Sequence, residues 1–232
     1  MKDVAPSRYP DAILLDCDGT VLESEEIKVE AFVRLLPQDP QRLKEVRRYY
    51  QENSGLPRHE KLQHVFGQLY EQPLSAEDEA AFSRRYGEAI AEAYGVCPLV
   101  PGARELLEKY APLCPLFLVS GTPDDELHVA VEAHGLTRFF AGIFGSPTDK
   151  AALCADIFLR WRLEPARAVM VGDSYPDLEA ARSNGIPFIG RLRPEGVTFQ
   201  GLGVPTAEDL WGVQALLARG LNATTPDAGS RD

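Results

Sequence analysis

The sequence predicts an α/β protein, a doubly wound parallel sheet with an all-helical segment inserted near its start. Three observations carry this. A short apolar run, Ala12 to Leu15, ends in an acid and a Gly-Thr turn, as a buried strand does. From about Glu23 to Gly95 no comparable strand follows, and apolar residues recur at helical spacing. From Pro101 onward helix and strand patterns alternate, the order that builds parallel sheets.

Taken along the chain, the first strand is Ala12 to Leu15. In the helical stretch, Leu43, Val46 and Tyr50 and then Phe82, Tyr86, Ile90 and Tyr94 mark two buried faces. Pro101 opens the next helix and Leu116 to Val119 is a strand. Thr122 caps a helix with an acidic start, and Gly135 ends it. A weak strand follows near Ile143, then a helix from about Asp149 to Trp161. The strong strand Ala168 to Val171, a helix to Asn184 and Gly185, and the strand Ile186 to Ile189 complete the alternation. The sheet domain is therefore expected to be discontinuous, residues 1–22 joining 99–232 around a helical domain at 23–98. The polar residues from Asn222 are expected to fray.

Composition narrows the function classes. At 232 residues, 44% hydrophobic and 25% charged, the chain is ordinary globular material, neither disordered nor a disulfide-stapled miniprotein. Its 24 basic and 35 acidic residues leave a net charge of −11, which repels nucleic acid and anionic membranes. Apolar runs such as Ala12 to Leu15 are four residues long, against the roughly 20 that span a bilayer. Met1 to Pro10 lacks the apolar core of a secretory signal, so a cytoplasmic location is the expectation. Cys17, Cys97, Cys114 and Cys154 form no Cys-x-x-Cys pair and read as reduced, mostly buried thiols. Cys17 reads as an inert filler, since neighbouring carboxylates raise a thiol's pKa.

Ligands of an open parallel sheet bind beyond the carboxyl ends of its strands. Here those ends read Asp16-Cys17-Asp18-Gly19-Thr20, Ser120-Gly121-Thr122 and Gly172-Asp173-Ser174-Tyr175-Pro176-Asp177. Four carboxylates in one crevice repel one another, and a hard divalent cation relieves that repulsion. Oxygen ligands without His or Cys suit Mg²⁺, which commonly bridges to phosphate. Lys150 adds a positive charge if its helix faces the same edge. Ser120 with the free amides at the following helix start makes either a cap or a phosphate cradle.

Asp16-x-Asp18-Gly19-Thr20-Val21, Ser120-Gly121-Thr122, Lys150 and Gly172-Asp173-x-x-x-Asp177 resemble, in order and spacing, the four motifs of the haloacid dehalogenase superfamily. The resemblance covers nearly the whole chain, because the helical insertion is similar to the cap of phosphoglycolate phosphatase-like members. It implies a Rossmann-like core and a Mg²⁺-dependent phosphatase for a small-molecule phosphate ester. It also implies that Asp16 is the nucleophile that becomes an aspartyl-phosphate, and that Asp18 is a general acid and base, a role favouring a partly protonated carboxyl. Ser120, the Gly121 amide and Lys150 would hold the transferring oxygens, with Gly19 and Thr122 beside the phosphate. The Asp16 carboxylate, the Asp18 carbonyl and Asp173 would hold the metal, with Asp177 either a further ligand or the residue positioning Lys150.

In the helical segment, the turn Asn53-Ser54-Gly55-Leu56-Pro57 places a glycine break before Arg58, His59 and Lys61 at a helix start, where basic residues are poorly matched to the helix dipole. Arg58 and Lys61 are accordingly candidates for substrate binding, against a solvated helix face of equal weight. Arg84 and Arg85 read as exposed, and His64, His128 and His134 as ordinary helix residues. A sugar phosphomutase of the β-phosphoglucomutase type shares every motif and is the alternative. A receiver-type signalling switch is about half this length and lacks Asp-x-Asp-Gly-Thr. A dinucleotide-binding Gly-x-Gly-x-x-Gly and a Gly-x-Ser-x-Gly elbow are both absent. Monomer is the default assembly, with a dimer as the alternative.

Overall fold

The computed structural model describes residues 9–53, 56–194 and 196–220. The expected glycine break at Ser54-Gly55, most of the Met1 to Pro10 segment and the expected fraying from Asn222 lie outside the described residues. Six parallel strands form one sheet: β1 (Ala12–Leu15), β2 (Leu116–Pro123), β3 (Gly142–Ser146), β4 (Ala168–Gly172), β5 (Phe188–Arg191) and β6 (Thr206–Ala207). Their order is β3-β2-β1-β4-β5-β6, so the sequence switches direction at β1. Along the chain, helices α1 (Glu25–Arg34), α2 (Pro40–Glu52), α3 (Arg58–His64) and α4 (Ala76–Tyr94) follow β1 and precede the other strands. Helices α5 (Ala103–Tyr110), α6 (Asp124–Ala133), α7 (Lys150–Trp161), α8 (Tyr175–Asn184) and α9 (Leu210–Arg219) flank the strands.

Strand alternation divides the core. Ile13 and Leu15, with Leu116, Leu118, Val169 and Val171, face one hydrophobic cluster, whereas Ala12, Leu14, Phe117, Val119, Ala168 and Met170 face another. The first cluster continues without a break into the inserted helices, through Phe32, Val46, Tyr50, Phe82, Tyr86, Ile90 and Tyr94. The positions read as buried faces of the helical segment thus pack on one another, with Leu43 at the margin. Phe32 is their hub, its ring centroid 5.1 Å from that of Tyr50, 5.2 Å from Phe82 and 5.4 Å from Tyr86.

Three boundaries differ from expectation. Strand β2 runs on through Thr122 to Pro123, because Pro123 resumes pairing with Ser146 of β3 after a register shift. Thr122 is therefore not a helix cap, and α6 starts at Asp124 with no side-chain cap. Strand β5 starts at Phe188 because the Ile186 amide still donates to the Ala181 carbonyl, closing α8 over left-handed Gly185. Helix α5 starts at Ala103, after Gly102 at φ +82°. A Cβ at Gly102 would lie 2.5 Å from the Trp211 amide nitrogen, so only glycine lets α9 approach this closely. The two-residue β6 carries too short a pattern to be read from sequence.

No helix among the described residues is long and apolar enough to cross a membrane. Truncating the hub, Phe32→Ala, is expected to cost about 3–5 kcal/mol. Urea unfolding monitored by near-ultraviolet circular dichroism measures it, and a loss below about 1 kcal/mol would show that the aromatic cluster is not the core of the insertion.

Candidate active site

Parallel register assembles the site. Leu15 pairs with Leu118 on one side and Val171 on the other, so the next residues of three strands, ending in Asp16, Ser120 and Asp173, emerge at one sheet edge. Helix α7 starts at the same edge, with Asp149 capping it and Lys150 turned inward and buried. Lys150 Nζ donates to Asp16 Oδ1 at 2.8 Å and to Asp177 Oδ1 at 2.6 Å. The other Asp177 oxygen accepts from the Ser174 amide at 3.1 Å and hydroxyl at 2.5 Å, in a capping box that starts α8. Asp177 therefore contacts Lys150 directly while adjoining Asp16 and Asp173.

Asp16, Asp173 and Asp177 are all buried, and one carboxylate oxygen of each lies within 4.8 Å of the others. Burial, followed by repulsion from Asp177, raises the pKa of Asp16 well above the usual carboxylate value, Lys150 notwithstanding. Burial likewise pushes Asp173 up to about 6, against the pull of Arg193. Arg193 Nε donates to Asp173 Oδ2 at 2.5 Å, and Thr20 Oγ1 donates to Asp173 Oδ1 at 3.3 Å. Gly19, at φ +74°, packs on the same carboxylate: a Cβ there would come within 2.4 Å of Asp173 Oδ2. These groups form a hard-oxygen donor set whose charge is incompletely neutralised, which suits a divalent cation.

Asp18, two residues from Asp16, has the opposite electrostatic fate. Lys28 from α1 pairs with it at 2.8 Å, Ser24 and Thr122 hydroxyls donate at 2.5 and 2.6 Å, and Tyr94 of α4 donates at 3.0 Å. Burial opposes its charge, but the Lys28 ammonium and the donated hydrogen bonds hold the carboxyl well below its ordinary value. These contacts favour the charged form of Asp18, the opposite of the partly protonated carboxyl that its expected role favours. Ser120 Oγ lies 3.4 Å from the same carboxylate and accepts from the Thr122 amide.

A narrow cleft with a cavity volume of about 20 Å³ joins Asp16 and Asp18 to Ser120, Gly121 and Thr122 on the sheet side, and to Glu25, Lys28, Arg58 and Lys61 on the helical side. Neither Arg58 nor Lys61 is the solvated side chain considered from sequence. Arg58 makes a two-point pair with Glu126 of α6, donates to the Ser83 carbonyl at 3.0 Å and lies over the Tyr86 ring. Lys61 is buried with its ammonium 4.0 Å from the Tyr50 ring centroid, and burial lowers it to about 8. His64 stacks on Tyr49, His128 is exposed beside Asp124, His134 contacts the Tyr94 carbonyl, and Arg84 and Arg85 are exposed. Cys17 is buried, and burial followed by Asp18 raises its thiol. Sequence reasoning missed Ser24, Glu25, Lys28, Tyr94 and Arg193. The available signal was a lysine one turn before Phe32 on the buried side of the first helix after the Gly-Thr turn.

The sequence profile of the haloacid dehalogenase-like hydrolases matches residues 10–185, and the chain belongs to that family. Comparison with curated proteins finds no match. Among solved structures, the fold is similar to a predicted phosphoglycolate phosphatase from Haemophilus somnus, at 20% identity over 90% of this chain and 98% of that one, TM-score 0.69. It is similar to CbbY from Rhodobacter sphaeroides solved with phosphate, at 18% identity over 88% and 99%, TM-score 0.69. A Thermotoga maritima protein assigned as a beta-phosphoglucomutase matches at 21% identity over 89% and 98%, TM-score 0.67.

The buried Lys61 makes stability depend on pH. Its folded pKa of about 8 lies below the ordinary lysine value of 10.5, so the unfolded chain binds more protons between those values and stability rises with pH across that window. Lys61→Met is expected to melt higher than the wild type at pH 7, by the equivalent of up to about 3 kcal/mol, with the gap closing between about pH 8 and 10.5. Thermal melts at matched pH read this directly; a constant gap would place Lys61 in solvent.

Proposed function

We propose that this protein is a Mg²⁺-dependent phosphatase that hydrolyses small phosphomonoesters through an aspartyl-phosphate on Asp16. The observation that carries the reading is the Asp16 carboxylate at the sheet edge, bonded to Lys150 and adjoining a cleft that also holds Asp18 and the Ser120-Gly121 turn. An Asp16 oxygen attacks phosphorus as the bond to the leaving oxygen breaks, and a proton passes to that oxygen from the Asp18 side. Water then attacks the phosphoryl group, Asp18 takes its proton, and the Asp16–phosphorus bond breaks to release phosphate. Lys150, Ser120 Oγ and the Gly121 amide donate to the transferring oxygens. Asp18 would carry the proton given to the leaving oxygen in the first step and recover one from water in the second, so that the proton balances over a turnover, while the Lys28 ammonium and the Ser24 and Thr122 hydroxyls hold its carboxyl in place.

The Asp16 carboxylate, the Asp18 carbonyl and Asp173 would hold Mg²⁺, with Asp177 fixing Lys150. When bound, the ion would offset repulsion between nucleophile and phosphate. We assign residues 23–98 to a cap domain over a core of 1–22 and 99–232. Lys28 on Asp18 and Arg58 on Glu126 are contacts that hold the cap down, and a cleft closed in this way suits a small metabolite. Lys61 and the Arg58 guanidinium give that cleft a cationic side for a leaving group with an anionic end. Four buried free cysteines agree with a reducing compartment such as the cytoplasm.

Phosphate release from a panel of small phosphomonoesters tests the reading. Turnover is expected to require Mg²⁺, to vanish on chelation or in Asp16→Asn, and to fall about 10²–10⁴-fold in kcat in Asp18→Asn. A persistent phospho-Asp16 that is passed to a sugar phosphate instead of water would replace the phosphatase with a mutase.

A further inference from the structure

Glu25, the first residue of α1, is 6% exposed and lines the cleft beside Asp16 and Asp18. One of its oxygens, Oε1, stands 4.0 Å from Lys28 Nζ; the other, Oε2, is fully buried and has no hydrogen-bond partner. A buried carboxylate oxygen without a donor is costly, so such an atom on a residue that lines the cleft points to a donor that arrives with the ligand. The nucleophile, the proton-transfer carboxylate and the lysine of the phosphoryl end are all otherwise engaged. Glu25 has no place in that chemistry.

The surroundings select the kind of donor. Lys28, Arg58 and Lys61 line the same cleft. Lys28 and Arg58 are matched by Asp18 and Glu126, but the buried Lys61 makes no ion pair among the described residues; its ammonium would repel an ammonium on the substrate, whereas a neutral hydroxyl can donate to Glu25 without meeting that charge. A purely apolar leaving group would seal the Glu25 oxygen from any partner and would bind worst. The geometry points to Glu25 as a specificity-determining residue that accepts a hydrogen bond from a hydroxyl on the leaving group, so that the substrates are phosphomonoesters of hydroxylated, non-cationic molecules. This deepens the phosphatase reading of the same site and rests on it.

Matched pairs of esters that differ by one hydroxyl test the inference: glycerol phosphate against propanediol monophosphate, phosphoglycerate against phosphopropionate, and ribose phosphate against deoxyribose phosphate. In the wild type the hydroxylated member of at least one pair is expected to be preferred about tenfold or more in kcat/KM. In Glu25→Leu that ratio is expected to fall to within about threefold of unity, mainly through the hydroxylated member. Glu25→Gln keeps an uncharged acceptor and is expected to retain part of the preference. Should the leucine variant not fold, as judged by circular dichroism, the glutamine variant decides, since an unchanged ratio there overturns the assignment. Ratios near unity for every pair in the wild type, or a preference that survives in Glu25→Leu, also overturn it. Turnover without hydroxyl discrimination leaves the phosphatase reading standing. Failure to release phosphate from any ester, with no phosphoryl group on Asp16, removes that reading and the inference together.

Discussion

The rest of the structure is arranged around the crowding of carboxylates at one edge of the sheet. Asp16, Asp18, Asp173 and Asp177 are all buried there. Buried charge is tolerated only with partners. Lys150 serves Asp16 and Asp177, Arg193 serves Asp173, and Lys28 serves Asp18. Each cation comes from a different part of the chain: the start of α7, the segment after β5, and α1 of the insertion. The positions of these elements are therefore coupled to the same small volume, and the fold and the site cannot be varied independently.

The insertion is attached by two kinds of interaction. Its aromatic core merges with one face of the sheet, which is non-directional and sets the general position of the helices. The polar contacts are directional: Lys28, Ser24 and Tyr94 converge on Asp18, and Arg58 reaches Glu126. Asp18 is thus held as much by the insertion as by the strand that presents it. A side chain at the edge of an open sheet is held by Thr122 from the sheet and by further hydrogen bonds that form only when the helices lie over it.

Most of the fold and the sheet-side half of the site could be read from the sequence, because both depend on local pattern. Short continuous apolar runs that end in polar turns located β1, β2 and β4, and parallel register then brings Asp16, Ser120 and Asp173 to one edge. Lys150 could be placed at the start of its helix, and at this edge only through the family resemblance. The helical half was less legible for a physical reason. Lys28, Glu25 and Lys61 acquire their meaning from which face of a helix is buried and what it meets, and hydrophobic periodicity treats a buried lysine as a break in the pattern. The same limit explains Thr122, whose hydroxyl looked like a cap until the pairing of β2 with β3 turned it toward Asp18. Arg193 lies beyond the last recognisable strand, in a segment with no periodicity to read.

Two acids that share a strand end can perform different chemistry only if their surroundings differ, since their intrinsic acidities are the same. Asp16 shares its lysine with Asp177 and keeps an excess of negative charge around it, which raises its pKa and favours a bound cation. Asp18 has a lysine and four hydroxyl donors, and is stabilised as an anion without any metal. In the proposed reaction the nucleophile is thus the carboxylate whose charge is left for a cation to balance, and the proton carrier is the one whose charge the protein balances itself. That division follows from placing Lys150 on the core side of β1 and Lys28 on the insertion side. A helical segment entering directly after the first strand puts a residue of its first helix against the second acid and leaves the first acid facing the sheet edge.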